Sequence, residues 1–578
     1  MSSIIQIENL HYCPKANGQD APEILRGIDL SIEKGSFVAI IGENGSGKTT
    51  LIKHLNGLLV PTKGKVFVNG LDTRLNENRA RLQAIVGMVF QNPADQIVAS
   101  TVAEDVAFGL ENLNLPTGEI QKRVSFQLQA AGMLTEANRP PHLLSGGQIQ
   151  RVALAGVLAR NPQVILLDEP TSMIDTQARQ SFLRTLLRLK QEGLTIIYVT
   201  HHLEETLEAD QIIIMQAGRV AAAEIPAEIY KKSEKLYDYG LETPEIYQIA
   251  EGFQSLGWQV PAPNLRIKAL LDHLPHYSMG CHKSDKQAVK QKYIQHEPII
   301  NISNLHYTYL SGSPLAKKAL NGADLAISPA SVHGIAGANG SGKSTLLQHF
   351  NGLLRPENGH VRVEKMTLED PHTPLRKVVQ KAGLVFQSPE TQFFEVFVGH
   401  EIAYGPKQFG MPDVRERVRH TMHRVGLDFE TFKDRRLETL SGGEKRKVAL
   451  ASMLVLDQDI LTFDEPTAGL DPKARNELIA LFKVLKENNK TIIIASHRLE
   501  EIAEISTNLS LMRLGKITHT GTCSNLITHP TALAEASLSP PLAVTVARAL
   551  IEKNWPIDIE NSYTVSRLLA SIKDCLDE

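Results

Sequence analysis

The sequence predicts an α/β fold that is built as two tandem copies. The first observation is a glycine-rich stretch, "GENGSGKTT" from Gly42, which returns almost unchanged as "GANGSGKST" from Gly337. The second is its context, because each copy lies between an apolar run typical of a buried strand and a segment with helical apolar spacing. The third is length, since 578 residues provide enough material for two or more complete cores.

The repeat extends along nearly the whole chain. Lys343 follows Lys48 at an offset of 343 − 48 = 295, and Ser441 follows Ser145 at 441 − 145 = 296. The offset of 296 is kept by Gln91 and Gln387, by Asp168 and Asp464, and by His201 and His497. Such constant spacing indicates two homologous halves of nearly equal length.

Each glycine-rich stretch matches the phosphate-binding P-loop pattern G-x-x-x-x-G-K-[ST]. Glycines let backbone N–H groups point at phosphates, and the helix N-terminus adds partial positive charge. We expect Lys48 and Lys343 to reach the β- and γ-phosphates, and the hydroxyls of Thr49 and Ser344 to coordinate Mg²⁺. The predicted nucleotide-binding residues of the two loops are Gly42, Glu43, Asn44, Gly45, Ser46, Gly47, Lys48, Thr49, Thr50, Gly337, Ala338, Asn339, Gly340, Ser341, Gly342, Lys343, Ser344 and Thr345.

An Asp-Glu pair ends a short apolar run in each half, in "VILLDEP" and "ILTFDEP". An isolated pair of this kind is usually a solvated loop, but its position downstream of a P-loop favours catalysis. We expect Asp168 and Asp464 to hold the Mg²⁺ shell, and Glu169 and Glu465 to orient or deprotonate the attacking water.

A Ser-Gly-Gly sequence begins a helical pattern in each half, with Ser145 and Ser441 as natural N-caps. The simplest interpretation is a capped helix. The glycines behind the cap also expose N–H groups, so we predict a second phosphate clamp at this position.

Composition argues against several classes of function. Lys and Arg total 61 against 64 Asp and Glu, so the formal charge of -3 provides no global basic field to attract nucleic acid or anionic lipid. The four cysteines lack C-x-x-C spacing, which argues against a zinc site, an iron–sulfur cluster or a disulfide framework and fits a reducing cytosol. The sequence shows no secretory signal and no apolar run near the ~18 residues of a spanning helix.

Together these motifs resemble those of the ATP-binding-cassette (ABC) ATPases. The resemblance identifies Walker A and Walker B motifs, Q-loop glutamines Gln91 and Gln387, and switch histidines His201 and His497. Alignment of "VTHHLEE" with "ASHRLEE" selects His201 rather than His202. The resemblance also assigns metal ligation to the two glutamines. It adds the D-loop residues Asp175 and Asp471 to the ATP-binding set. It further adds the signature residues Ser145, Gly146, Gly147, Gln148, Ser441, Gly442, Gly443 and Glu444.

The resemblance implies two tandem P-loop ABC nucleotide-binding domains, each with a RecA-like core, a helical subdomain and a small C-terminal helical appendage. It also implies intramolecular pairing of the two cassettes, with the Walker A of one half facing the signature of the other, ATP and Mg²⁺ as cofactors, and a hinge motion on hydrolysis. The expected divisions are a first cassette at 1–235, its appendage at 236–275, a linker at 276–298, a second cassette at 299–525 and a second appendage at 526–578.

The segments after the two Q-loop glutamines look like those of energy-coupling-factor (ECF) importers of vitamins and metal ions. Both open with Q-x-P-x-x-Q, as in "QNPADQ" and "QSPETQ", and close on the pattern of "DVAFG" and "EIAYG". The resemblance implies an energising ATPase at the cytoplasmic face of the membrane, with a membrane T component and a substrate-binding S component as partners. It leaves the transported substrate open.

In that family, acidic residues beside the Q-loop meet arginines of the T component. By position the candidates are Asp105 and Glu401, and the alternative is that both are surface carboxylates on a solvated helix face. Both halves keep their catalytic glutamates, so we expect two competent sites. The halves differ at the adenine-stacking position, where Tyr309 of the second half aligns with Pro14 of the first.

Two other twin-cassette classes remain as alternatives. The ABC-F translation factors act on ribosomes through a long charged linker, and RNA binding relies on basic charge that this chain lacks overall. Duplicated sugar-importer ATPases are a further option, although many of them have lost catalytic residues in one site. We therefore expect no nucleic-acid partner.

Overall fold

A computed structural model of the chain describes residues 3–16, 19–20, 22–113, 115–144, 146–171, 174, 176–231, 233–258, 260, 266–277, 297–313, 316–468, 470 and 472–577. These residues form two compact units that divide after Tyr247. The division falls within a helix that begins at Glu245, inside the predicted first appendage. The predicted domain boundaries stay a prediction, and most of the predicted linker lies outside the described residues.

The first half contains three sheets, of six, four and two strands, and the helices around them. Its strands are β1 (Ser3–Tyr12), β2 (Lys15–Ala16), β3 (Gln19–Asp20), β4 (Leu25–Glu33), β5 (Phe37–Ile41), β6 (Lys63–Val68), β7 (Leu71–Asp72), β8 (Val86–Val89), β9 (Val164–Asp168), β10 (Thr195–Val199), β11 (Gln211–Gln216) and β12 (Arg219–Glu224). Its helices are α1 (Lys48–Leu55), α2 (Arg79–Ile85), α3 (Val102–Glu111), α4 (Thr117–Ala130), α5 (Gly146–Ala159), α6 (Thr176–Gln191), α7 (Pro226–Tyr230), α8 (Ser233–Asp238), α9 (Glu245–Ser255) and α10 (Ile267–Asp272).

The second half repeats the six-stranded and the four-stranded sheet. Its strands are β13 (Ile300–Tyr309), β14 (Lys317–Ile327), β15 (Val332–Ala336), β16 (Asn358–Val363), β17 (Met366–Thr367), β18 (Ala382–Val385), β19 (Ile460–Asp464), β20 (Thr491–Ser496), β21 (Asn508–Arg513) and β22 (Lys516–Thr522). Its helices are α11 (Lys343–Phe350), α12 (Leu375–Lys381), α13 (Val398–Phe409), α14 (Val414–Arg424), α15 (Phe429–Phe432), α16 (Gly442–Leu454), α17 (Pro472–Glu487), α18 (Leu499–Ile505), α19 (Cys523–Ile527), α20 (Pro530–Glu535), α21 (Leu542–Glu552) and α22 (Val565–Asp577).

A six-stranded sheet forms the centre of each half. Its order is β12-β11-β5-β10-β9-β8 in the first half and β18-β19-β20-β15-β21-β22 in the second, and only the edge strands β12 and β22 pair antiparallel. The central strands β5, β9 and β10 are buried along their whole length, which explains their continuous apolar sequences. Parallel strands deliver their C-terminal ends to one edge, where ligands bind in such folds.

A second, four-stranded antiparallel sheet accompanies each central sheet, in the orders β4-β1-β6-β7 and β14-β13-β16-β17. Helices α3, α4 and α5 build a separate apolar cluster, whereas α13, α14 and α16 belong to a larger cluster that also includes residues of the second central sheet. The predicted α/β fold with a helical subdomain in each half is therefore confirmed. Among the described residues, no helix is long and apolar enough to cross a bilayer.

The second unit includes a packed cluster of residues from both predicted appendages and from the start of the predicted linker. The indole rings of Trp258 and Trp555 lie 4.9 Å apart, and the ring of Tyr277 lies 5.0 Å from that of Trp555. The Trp555 indole N–H donates to the Pro275 carbonyl at 2.8 Å. Trp555 is 5% exposed, so its large apolar ring is almost fully buried in this cluster.

A buried histidine distinguishes the two central sheets. His333 lies on β15, and its Nε2 is 2.8 Å from the Ser510 hydroxyl. Burial lowers the pKa of His333 to about 4, from a usual value near 6.5. The first half has Val38 at the matching position, at an offset of 333 − 38 = 295.

We expect acid to destabilise the second unit through His333. Below pH 6.5 the His333 imidazole takes up a proton in the unfolded chain but stays neutral in the folded one. The folding stability that is present above pH 6.5 is therefore lost progressively as the pH falls toward 4. The variant His333→Val should lose less thermal stability between pH 7 and pH 5 than the unaltered protein. Equal losses in the two proteins would contradict this expectation.

Candidate active site

The two glycine-rich loops connect a buried strand to a helix, as predicted. Gly42 follows β5 with a φ of 148°, and a Cβ there would lie 2.2 Å from the Met215 carbonyl oxygen. At Gly337 a Cβ would lie 2.4 Å from the Met512 carbonyl oxygen. Glycine is therefore required sterically at the first position of both loops.

The helix after each loop begins at the predicted lysine. Gly47 precedes α1 with a φ of 101°, and Gly342 precedes α11 with a φ of 106°. These left-handed conformations favour glycine and turn the chain so that N–H groups at the helix start surround the loop. The two loops also contain the predicted residues Glu43, Asn44, Gly45, Ser46, Ala338, Asn339, Gly340 and Ser341, and the predicted residues Thr50 and Thr345 lie in the first turns of α1 and α11.

The lysine ammonium groups lie inside their own loops. Lys48 is 6% exposed, and its Nζ donates to the carbonyls of Gly42 at 2.7 Å and Glu43 at 2.9 Å. Lys343 donates to the Gly337 carbonyl at 2.8 Å. A buried cation surrounded by loop N–H groups forms a site that favours a multiply charged anion such as a triphosphate.

The predicted aspartates end the strands β9 and β19, beside the P-loop hydroxyls. The Thr49 hydroxyl donates to Asp168 Oδ1 at 3.1 Å, and Ser344 makes the matching hydrogen bond to Asp464. Burial raises the pKa of Asp168 and of Asp464 to about 6, against the effect of these hydrogen bonds. The hydroxyl and carboxylate oxygens that were predicted to share a cation thus lie together in each half.

The following glutamates have an unusual backbone conformation. Glu169 has a φ of 45° and Glu465 a φ of 47°, in the left-handed region that non-glycine residues seldom occupy. Each backbone N–H still donates to the neighbouring strand, to Val199 and to Ala495, at 2.9 Å in both halves. Strain of this kind persists where the surrounding structure holds it, and it often occurs at functional sites.

Each glutamate side chain faces the predicted switch histidine of its own half. Glu169 Oε2 lies 3.4 Å from His201 Nδ1 and accepts from the Gln91 amide at 3.0 Å. Burial alone would raise the pKa of Glu169, but the hydrogen bond and charge of His201 leave it below its usual value. The carboxylate is thus held ionised, as a group that accepts a proton must be.

The second half shows the same arrangement with different supporting contacts. Glu465 Oε2 lies 3.0 Å from His497 Nδ1 and 3.3 Å from the Ser496 hydroxyl, and Glu465 Oε1 lies 3.6 Å from Lys343 Nζ. Burial would raise the pKa of Glu465, but His497 lowers it below its usual value. Gln387 follows β18, and its side chain is exposed.

A buried carboxylate behind the switch loop was missed by the sequence analysis. Glu205 is 2% exposed and accepts hydrogen bonds from Thr171 at 2.6 Å and from Tyr198 and Thr200 at 2.7 Å each. It also lies 3.2 Å from the guanidinium of Arg179. Through Glu205, these contacts connect Thr200, which precedes His201, to Thr171, which follows Glu169 by two residues.

Glu501 takes the place of Glu205 in the second half, at the repeat offset 501 − 205 = 296. It accepts from Thr467 and pairs with Arg498 at 2.8 Å. The second glutamate of "HHLEE" and "HRLEE" keeps this spacing, so the repeat contained a signal that could have identified both residues.

The signature helix of the second half has the predicted N-cap. The Ser441 hydroxyl accepts from the Glu444 N–H at 3.3 Å, and the Glu444 carboxylate accepts from the Ser441 N–H at 2.7 Å. Gly442 and Gly443 form the first turn of α16, and Gly146, Gly147 and Gln148 form that of α5. Ser145, Asp175 and Asp471 lie outside the described residues.

The first of the two candidate partner residues is engaged with its own backbone. Asp105 lies on α3, and its Oδ1 accepts from the N–H groups of Val98 at 2.9 Å and Ala99 at 3.3 Å. The carboxylate therefore fastens the segment that precedes the helix. Its contact with a partner stays a prediction.

Glu401 makes the equivalent contacts on α13. Its Oε2 accepts from the N–H groups of Phe394 and Glu395, each at 2.9 Å, and its pKa is raised by burial. Glu401 is 4% exposed. The alternative that Glu401 is a surface carboxylate on a solvated helix face is therefore wrong. Helical spacing in the sequence did not show that the preceding segment covers this side chain.

The aromatic residues near the end of the first strand differ between the halves. Tyr307 packs edge-on against His349 with ring centres 5.2 Å apart, and Tyr12 packs in the same way against His54 at 4.8 Å. Tyr12 thus occupies the position of Tyr307. The side chain of Tyr309, two residues further on, is 36% exposed, and its hydroxyl lies 3.2 Å from that of Thr345.

Comparison with known proteins agrees with this geometry. The family model described as ABC transporter matches residues 25–172 and 320–468. An ABC transporter ATP-binding protein of Methanosarcina acetivorans is 32% identical over 95% of this chain and 91% of its own length. The energy-coupling factor transporter ATP-binding protein EcfA1 of Caldanaerobacter subterraneus subsp. tengcongensis is 44% identical over 47% of this chain and 99% of its own.

One similar solved structure is cbiO1 from Clostridium perfringens, which is described as part of the ABC transporter complex cbiONQ. It is 35% identical with a TM-score of 0.38, and the match covers 43% of this chain and 100% of the cbiO1 chain. The family match falls on both halves, and each half contains a P-loop lysine, a strand-end aspartate and a glutamate beside a histidine. The chain therefore belongs to the ABC transporter family, as a double-cassette ATP-binding protein whose ATP hydrolysis is coupled to transport.

Proposed function

We propose that this chain is the energising subunit of an ECF-type importer, which powers uptake of a vitamin, vitamin precursor or metal ion through separate membrane T and S components. The observation that carries the proposal is the 44% identity to EcfA1 over nearly all of that protein. The Q-x-P-x-x-Q and "AFG" or "AYG" segments after both Q-loop glutamines support it. We place the protein at the cytoplasmic face of the membrane, with its two cassettes paired within the chain and the domain divisions given above.

We assign the hydrolytic roles from the contacts in each half. Lys48 and Lys343 bind the β- and γ-phosphates, and the signature and D-loop residues complete the ATP site. Glu169 and Glu465 orient or deprotonate the attacking water, and His201 and His497 hold these carboxylates in position. The short Glu–His distances, 3.4 and 3.0 Å, support this assignment.

The residues fit a bound Mg²⁺. Asp464 Oδ1 is buried without a hydrogen-bond partner among the described residues. Within the described parts of the chain, no cluster of three or more His, Cys, Asp or Glu side chains forms a metal cage. Mg²⁺ is commonly held by one or two carboxylates together with substrate phosphates, and it neutralises charge that develops on those phosphates. We assign its ligands as Thr49, Gln91 and Asp168 in the first half and Ser344, Gln387 and Asp464 in the second.

The segments beside Asp105 and Glu401 have features suited to a protein partner. Phe394 is 76% exposed and stacks on the ring of Tyr404 at 5.5 Å, and Val98 of the first half is 66% exposed. Large exposed apolar side chains next to carboxylates favour a cytoplasmic segment that carries both apolar and basic residues. We propose that this segment belongs to the T component.

The proposed function is tested by purifying the full-length chain from its native cells in mild detergent. We expect it to sediment with membranes and to co-purify with integral membrane proteins, identified by mass spectrometry. Sedimentation with ribosomes instead would contradict the proposal and favour the ABC-F alternative.

The partner residues are tested with the double variant Asp105→Asn, Glu401→Gln. Each amide oxygen still accepts the backbone N–H groups, so the variant removes charge and keeps the fold. We expect weaker co-purification with the membrane partner, and unchanged recovery would reject these two residues. Glu111→Gln on α3 provides the control, because the Glu111 side chain is exposed and forms no ion pair with any residue that the structure describes.

The adenine pocket should differ between the two sites. The first site has Pro14 where the second has Tyr309, so it lacks one aromatic stacking contact. This difference is expected to weaken ATP binding at the first site by about 1 kcal/mol. The two sites are compared in Lys343→Ala and Lys48→Ala variants, each of which leaves one P-loop lysine. Equal ATP affinities at the two sites would contradict the prediction. The variant Tyr309→Ala should lower the ATP affinity of the second site toward that of the first.

A further inference from the structure

A buried arginine connects two parts of the second catalytic centre. Arg446 lies on α16, is 6% exposed, and its Nη2 donates to the carbonyls of Gln387 at 2.9 Å and Ala468 at 3.1 Å. Its Nη1 lies 3.4 Å from the Glu465 carbonyl. One rigid, planar guanidinium therefore contacts the Q-loop residue, the predicted base and the segment after that base.

We propose that Arg446 is a positioning residue that fixes the backbone of Glu465 relative to that of Gln387, so that the Q-loop segment and the catalytic carboxylate of the second centre move together. The inference rests on the proposed role of Glu465 as the base. It concerns the second half alone.

The backbone of Glu465 needs such support. Its φ of 47° is strained, and its N–H is already held by the Ala495 carbonyl. Arg446 holds the other side of the same residue through its carbonyl, so both peptide groups of Glu465 are anchored. The buried guanidinium is compensated by the three carbonyl acceptors, and a smaller uncharged substitute would leave those acceptors with fewer partners.

The first half has a different side chain at this position. Gln150 aligns with Arg446 at 446 − 150 = 296, and it is 3% exposed and uncharged. Its Nε2 has no hydrogen-bond partner among the residues that the structure describes. The guanidinium link is therefore a feature of the second centre, and the two centres should differ in their sensitivity to the Q-loop segment.

The test uses the full-length chain carrying Glu169→Gln, so that fast phosphate release reports the second centre. Arg446→Gln introduces the side chain of the first half. We expect the rate constant at saturating ATP to fall about tenfold or more, since a small misplacement of a catalytic group is costly. The ATP concentration for half-maximal rate should stay unchanged, because Lys343 and its loop are not altered. Arg446→Lys keeps the charge and should recover part of the rate.

Two matched controls separate this role from general packing or charge. Lys447→Gln removes the next positive charge on α16, which pairs with Glu477 at 2.8 Å, and should keep the rate. Gln150→Met in the Glu465→Gln background should keep the rate of the first centre. An unchanged rate constant for Arg446→Gln would overturn the proposal. So would a rise in the ATP concentration for half-maximal rate that accompanies the fall in rate, or an equal loss of rate in either control variant. Fast release from both centres in the Glu169→Gln background would instead refute the catalytic roles on which it rests.

Discussion

Replacing Glu465 with glutamine is expected to slow phosphate release at the second centre by about 10²- to 10⁴-fold, because a general base contributes on this order. Glutamine keeps the volume and an acceptor toward His497, but it cannot take a proton from water. ATP binding should remain, since the contacts of Lys343 with its loop are not altered. Phosphate release followed in a single turnover gives the amplitude and rate of each centre.

Glu169→Gln is the matched variant of the first half, and its effect should be of the same size. Each single variant should leave one fast phosphate per chain and slow steady-state turnover greatly, because the slow centre then limits the cycle. A harmless replacement at either position would refute the expectation that both centres are competent.

Replacing Trp555 with alanine is expected to lower the free energy of unfolding of the second unit by about 3 to 5 kcal/mol, the usual cost of deleting a buried large aromatic side chain. The variant loses the ring contacts with Trp258 and Tyr277 and the hydrogen bond to the Pro275 carbonyl. Denaturant unfolding followed by circular dichroism measures this change.

The only two tryptophans of the chain, Trp258 and Trp555, meet in this cluster, so intrinsic tryptophan fluorescence reports on it directly. In Trp555→Ala the emission of Trp258 should shift toward that of an exposed indole. Trp258→Ala is the control, with a smaller stability loss because Trp258 is only half-buried. An unchanged transition in Trp555→Ala would show that the appendage contributes nothing to the second unit.

Local patterns allowed much of the fold and site to be predicted. The strand before Gly42 and the helix from Lys48 follow from short-range apolar spacing, and steric need for glycine explains the loop. The repeat then carried each assignment from one half to the other. Asp168 and Thr49 were expected at one cation, and the structure places them 3.1 Å apart.

Contacts between distant segments could not be read from such patterns. Glu205 contacts Thr171, 34 residues earlier, and Arg446 contacts Gln387, 59 residues earlier, and nothing local marks an acidic or basic residue as buried. Glu401 differs in that its partners Phe394 and Glu395 are near in sequence, but helical spacing alone did not show that this preceding segment folds back over the carboxylate. The left-handed backbone of Glu169 and Glu465 was also invisible, since glutamate gives no sign of it.

The central claim, that one chain carries two ATP sites built by its two P-loops, is tested most directly by counting ATP. The measurement is the number of ATP molecules bound per chain at saturation in the Glu169→Gln, Glu465→Gln double variant with Mg²⁺. The account predicts two, and one fewer after Lys48→Ala or after Lys343→Ala. A single ATP per chain before either lysine is replaced would contradict it.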